Sequence, residues 1–125
     1  MAHLMLVDDA SALAELFAMA IETRLGHSVT VVVSLADVGG ALRDIEKLDL
    51  AVVDLSFPQE NGTGIDALSE VHRTRPSTRL AIITQGDEWV AQELRDAWEL
   101  LPIATVISKS APMNYQLDAI ERVLT

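Results

Sequence analysis

At 125 residues, half of them apolar, the chain is long enough to close one hydrophobic core, and it reads as a single domain spanning 1–125. Lys and Arg number 9 against 19 Asp and Glu, a formal charge of −10 that repels polyanions and argues against direct nucleic-acid contact or an anionic membrane surface. Cysteine is absent, which excludes disulfides, thiolate metal ligands and a Cys nucleophile and suits a reducing compartment.

The first apolar run, Leu4 to Val7, is too short for a signal peptide, and no uncharged run approaches the roughly 20 residues of a membrane span. A cytoplasmic protein is therefore expected. That run is the first of five strand patterns; the others lie near Val29 to Val33, Leu50 to Val53, Leu80 to Thr84 and Ala104 to Ile107. Between the first two, Leu13, Leu16, Phe17, Ala20 and Ile21 recur with the helical period, and Gly26 marks the stop. A second helix, about Leu35 to Lys47, carries Val38, Leu42 and Ile45 on one face, although Gly39 and Gly40 inside it each cost about 1 kcal/mol relative to Ala. A third runs from about Ile65 to Arg73 before Pro76, and a fourth from about Glu88 to Leu101 before Pro102. The fifth opens with Pro112 and shows Met113, Leu117, Ile120 and Leu124.

Apolar strands alternating with helices imply parallel neighbours and right-handed crossovers, hence an α/β three-layer doubly wound sheet, (βα)5. In such sheets the sites lie beyond the carboxyl ends of the strands. Asp8 and Asp9 follow the first strand, Asp54 the third, Thr84 closes the fourth, and Lys109 follows the fifth. The carboxylates suit a divalent cation that prefers oxygen ligands, and without one they would raise each other's pKa. A carboxylate is already ionised and attacks phosphorus without a general base; a hydroxyl and an ammonium beside it suit phosphoryl oxygens. Singly, each residue has a plainer reading: Asp8 or Asp9 as a helix cap, Asp54 as a turn former, Thr84 as a β-branched strand residue, Lys109 as a solvated charge. Five such residues at one edge, in this order, favour the functional reading.

In this order the residues resemble the receiver domains of bacterial response regulators (CheY-like) along the whole chain, including Asp54-Leu-Ser-Phe-Pro and the Gly62-Thr-Gly64 loop. The resemblance implies the flavodoxin-like strand order 2-1-3-4-5 and a phosphoacceptor rather than an enzyme, one that promotes its own phosphorylation and dephosphorylation. It implies Asp54 as the acceptor, Mg²⁺ held by Asp9, Asp54 and the Ser56 carbonyl with Asp8 acting through water, and Ser56, Thr84, Gln85 and Lys109 around the phosphoryl group. The implied partners are a histidine kinase and an output domain or separate protein met through the helix 4, strand 5 and helix 5 face, with a second copy of the chain as a further candidate.

Three departures stand out. Val106 occupies the place of the usual aromatic switch, Gln85 that of a small residue, and Ser110 that of a proline. Lys109-Ser-Ala-Pro112 looks like the branch whose receivers often precede helix-turn-helix output domains, so transcription regulation is one expected output. The alternative is a receiver-shaped interaction module that signals without phosphorylation. A haloacid-dehalogenase-like phosphatase would want Asp where Ser56 stands, and a nucleotide-binding domain would want glycines where Asp8-Asp9-Ala10-Ser11 stands.

Gly62 and Gly64 read as turn residues rather than a phosphate cradle. His3, His27 and His72 lack metal spacing and read as surface or strand-end residues, and the Met residues as core filler. Trp89 and Trp98, nine apart, fall on opposite helix faces: Trp98 is expected in the core, and Trp89 on the polar side, where an exposed indole fits either a contact surface or a lone aromatic without a role.

Overall fold

The structure, a computed structural model, describes residues 1–57, 62–85 and 91–125, with only the backbone of Ala91. Pro58, Glu88, Trp89 and Val90 therefore lie outside the described residues. Five parallel strands form one sheet: β1 (His3–Val7), β2 (Ser28–Val32), β3 (Leu50–Asp54), β4 (Arg79–Thr84) and β5 (Ile103–Ser108), in the order β2-β1-β3-β4-β5. The helices are α1 (Ser11–Ala20), α2 (Val38–Asp44), α3 (Gly64–Thr74), α4 (Ala91–Leu100) and α5 (Met113–Leu124). This is the doubly wound flavodoxin-like arrangement expected from the alternating patterns.

Side chains alternate across the sheet with period two, and the core divides accordingly. Met5, Val7, Ala51, Val53, Leu80 and Ile82 face one layer, with Val38 and Leu42 of α2, Leu68 and Val71 of α3, and Ala97 of α4. Leu4, Leu6, Leu50, Val52, Ala81 and Ile83 face the other, with Ala14 and Phe17 of α1 and Leu117 and Ile120 of α5. The sheet is thus sealed on both sides, and its carboxyl ends are left to carry polar groups.

Local chemistry sets the helix limits. α1 widens into a π-helical turn over Ile21–Leu25, which Gly26 ends at φ 75°, a left-handed angle that suits glycine. α3 begins with a capping box: Thr63 Oγ1 accepts from Ile65 N (3.2 Å) and Asp66 Oδ2 accepts from Thr63 N (2.9 Å). α2 is shorter than its apolar pattern suggests. Residues Leu35–Asp37 form a 3₁₀ turn opened by Ser34, and the helix stops at Asp44 because Ile45 turns extended. The Arg75 guanidinium donates to the carbonyls of Leu42 (2.6 Å), Ile45 and Glu46 (3.3 Å), satisfying acceptors that a helix end leaves open.

Three packing expectations are corrected. Leu13 and Leu16 are 57% and 58% exposed, because Ala14 and Phe17 are the positions that meet the sheet and their predecessors fall on the flank of α1. Trp98 is 56% exposed: small Ala97 takes the sheet-facing position, and Trp98 lies beside Leu94, Arg95, Glu99 and Val106 along a shallow groove. Among the methionines Met5 is core, but Met1 and Met19 are exposed. His3 and His27 stand at strand ends as expected, His3 hydrogen-bonding Ser28 (2.6 Å) and Thr30 (2.8 Å) and His27 pairing with Glu121 (2.6 Å), whereas His72, in the last turn of α3, is half-buried rather than on the surface.

Candidate functional site

Parallel register delivers the polar residues to one edge. Val7 is level with Val32 and Val53, Asp54 with Ile83, and Thr84 with Ser108, so Asp8 and Lys109 leave the sheet as Asp54 and Thr84 end it. The Lys109 N–H donates to the Thr84 carbonyl (2.9 Å), tying the last rung of β4 to the start of the next turn.

Lys109 Nζ lies 2.8 Å from Asp8 Oδ2 and 2.8 Å from Asp54 Oδ2, bridging the two buried carboxylates. Their second oxygens are also engaged: Asp8 Oδ1 accepts from Ala10 N (2.9 Å), and Asp54 Oδ1 from Ser56 N (3.1 Å). These short local turns hold each carboxylate by the backbone just beyond its strand, a habit of Asp that sequence alone reports only as a turn preference. Asp9 is exposed, yet it offers an oxygen that lies with those of Asp8 and Asp54 within 4.8 Å of one another.

Burial pushes the Asp54 carboxyl above its ordinary pKa; the hydrogen bonds from Lys109 and Ser56 and the Lys109 charge oppose this, and the Asp8 charge adds to it. For Lys109, burial acts against the charged form, but hydrogen bonds and attraction from Asp54 and Asp8 outweigh it and raise the pKa. The ammonium stays charged and still leaves negative charge in excess. Three carboxylates with oxygen donors suit a hard divalent cation such as Mg²⁺.

Thr84 is buried at the same edge, Ser56 is half-buried beside Asp54, and Gln85 is exposed at the rim. Val106, two residues before the end of β5, is partly exposed on the sheet edge away from the carboxylates. The structure therefore brings Asp8, Asp9, Asp54 and Lys109 together with Thr84 and Ser56 nearby, and leaves Val106 apart. Two residues of the neighbourhood escaped the sequence. A Cβ on Gly64 would lie 2.0 Å from the Asp54 carbonyl oxygen and 2.7 Å from the Leu55 Cα, so glycine is required by close approach rather than by a turn. Gln116 is buried beneath Lys109, and its helical position gave no sign of it.

No family model matches the chain, and no curated relative does. Solved structures do. A LuxR-family two-component response regulator from Aurantimonas sp. SI85-9A1 is 28% identical with a TM-score of 0.79, over 99% of this chain and 85% of its own. The non-phosphorylated HemR receiver domain from Leptospira biflexa is 24% identical with a TM-score of 0.82, over 100% and 95%. A CheY-like receiver domain protein from Methanospirillum hungatei JF-1 is 21% identical with a TM-score of 0.79, over 99% and 94%. Over nearly its whole length the chain has the fold of CheY-like response regulator receiver domains.

Proposed function

We propose that residues 1–125 form one receiver domain that takes a phosphoryl group from a histidine kinase onto Asp54 and passes the change to an output domain or partner protein. The observation that carries this reading is the Lys109 ammonium, 2.8 Å from both Asp8 and Asp54 at the carboxyl edge of a receiver fold. A carboxylate oxygen of Asp54 forms the new P–O bond while the P–N bond to the kinase histidine breaks, and the leaving imidazole keeps the electron pair and takes a proton. Lys109 then balances charge on the phosphoryl oxygens, and Thr84, Ser56 and Gln85 offer donors around them. Mg²⁺ held by Asp8, Asp9, Asp54 and the Ser56 carbonyl would offset repulsion between carboxylate and phosphoryl group. The same backbone turns that fix Asp8 and Asp54 in the unmodified chain keep them oriented for this step. A cytoplasmic setting and an output through transcription belong to this proposal.

Incubation with phosphoramidate or acetyl phosphate and Mg²⁺, followed by intact-mass measurement, tests it. One added phosphoryl group is expected, and none in Asp54→Asn. An unchanged parent mass under conditions that label a control receiver favours the module that signals without phosphorylation, and a labelled Asn variant moves the acceptor elsewhere.

A further inference from the structure

The turn that carries Lys109 is held from below by a residue of another element. Gln116, in the first turn of α5, is only 7% exposed, and its Nε2 donates to two carbonyls of that turn, Lys109 O (3.2 Å) and Ala111 O (2.9 Å). It lines a pocket of about 150 Å³ with Leu6, Phe17, Ile83 and Met113 and with Asp8 and Lys109 themselves, a mostly apolar setting in which a buried amide is costly unless its hydrogens are used. Both are used here, one on each side of Ser110. The packing of α5 does not need them, since Leu117 and Ile120 supply its contacts with the sheet.

The two peptide groups flanking the Lys109 Cα are thus each anchored: its N–H to the Thr84 carbonyl, its carbonyl to Gln116. Together these fix the direction in which the side chain departs, and the ammonium must reach two carboxylates at 2.8 Å at once. A shift in the turn moves the root of that side chain, which must then bend to keep both contacts. We propose that Gln116 is a positioning residue that aims Lys109 at the phosphoryl site by holding both carbonyls of its turn. The inference rests on the receiver reading, because aim matters only if Lys109 meets an incoming phosphoryl group.

The test is a double-mutant cycle on the full chain, reading the rate of phosphoryl uptake from phosphoramidate with Mg²⁺ by intact mass. Gln116→Met, close in length and without donors, is expected to slow uptake about tenfold in the parent background and by less than about twofold in Lys109→Met. An equal loss in both backgrounds would assign Gln116 a general structural role, and no loss in the parent background would remove the role altogether. Gln116→Glu, which replaces the donor with an acceptor facing two carbonyls, is carried through the same cycle and decides the matter if the Met variant does not fold. Without any phosphodonor, the side-chain amide protons of Gln116 should be protected from exchange by NMR; solvent-like exchange overturns the tie. If the parent takes up no phosphoryl group while those protons are protected, the receiver reading fails and the tie to the Lys109 turn stands.

Discussion

The two ends of the sheet handle charge in opposite ways. At the amino end, polar groups are matched locally: the Asp49 carboxylate accepts from the His3 N–H (2.9 Å), His27 pairs with Glu121 and accepts from the Ala2 N–H (3.0 Å), and Thr78 donates to the Leu48 carbonyl (2.8 Å). Among the described residues the Arg75 guanidinium meets carbonyls rather than a carboxylate. At the carboxyl end three carboxylates gather while one ammonium bridges two of them, and acidic charge remains in excess. Matched groups hold a fold together; an unmatched set stores repulsion that a cation or a phosphoryl group can relieve. Acidic charge is thus concentrated at the carboxyl edge, whereas pairing is local at the amino edge.

Substitutions at the two edges should separate these roles. The largest effect is expected from Lys109→Met, which leaves Asp8 and Asp54 buried without their shared partner. Without divalent ion it should lose about 3 kcal/mol in urea unfolding, and Mg²⁺ should restore more of that loss than it adds to the parent. Equal Mg²⁺ gains would break the contrast. Arg75→Ala should cost about 2 kcal/mol by stripping three carbonyls of a charged donor, with Mg²⁺ response and phosphoryl uptake unchanged.

Asp54→Asn should act in the opposite direction. Its folded pKa is raised by burial, so the folded state holds the proton more tightly than the unfolded chain does, and above the unfolded value this ionisation works against the fold. Without Mg²⁺ the variant should gain about 1 kcal/mol in thermal unfolding, and a loss would contradict crowding at this edge. Asp9→Asn should follow with a smaller gain, since Asp9 is exposed. The smallest effect is alkaline. Lys109 has a raised folded pKa, so its stabilisation is complete below the ordinary lysine value of 10.5 and is lost as pH rises through the higher folded value. Melts above that pH should show a decline in the parent that Lys109→Met lacks.

The strands were legible because buried parallel strands read as unbroken apolar runs, and their ends place Asp8, Asp54, Thr84 and Lys109 without knowledge of any contact. What periodicity could not give was which of two adjacent apolar rows meets the sheet. Phe17 and Ile21 of the α1 pattern are buried as that pattern implies, but Leu13 and Leu16, and Trp98 on α4, fit the helical period and yet yield the inner positions to Ala14 and Ala97. Gly64 and Gln116 escaped for another reason: each answers to a backbone carbonyl far away in sequence or across a turn, and no local pattern records that.

Gly64 has one more consequence. Its Cα sits against the Asp54 carbonyl and its N–H donates to the Leu55 carbonyl (3.3 Å), so the chain leaves β3 and returns to α3 at a single neck. Leu55 and Gly64, nine positions apart, are therefore already joined. Lengthening a closed segment costs only about 0.6 kcal/mol per doubling, and the neck holds Asp54 apart from the change. Extra residues between Leu55 and Gly64 are thus expected to leave the Asp54 backbone where it is.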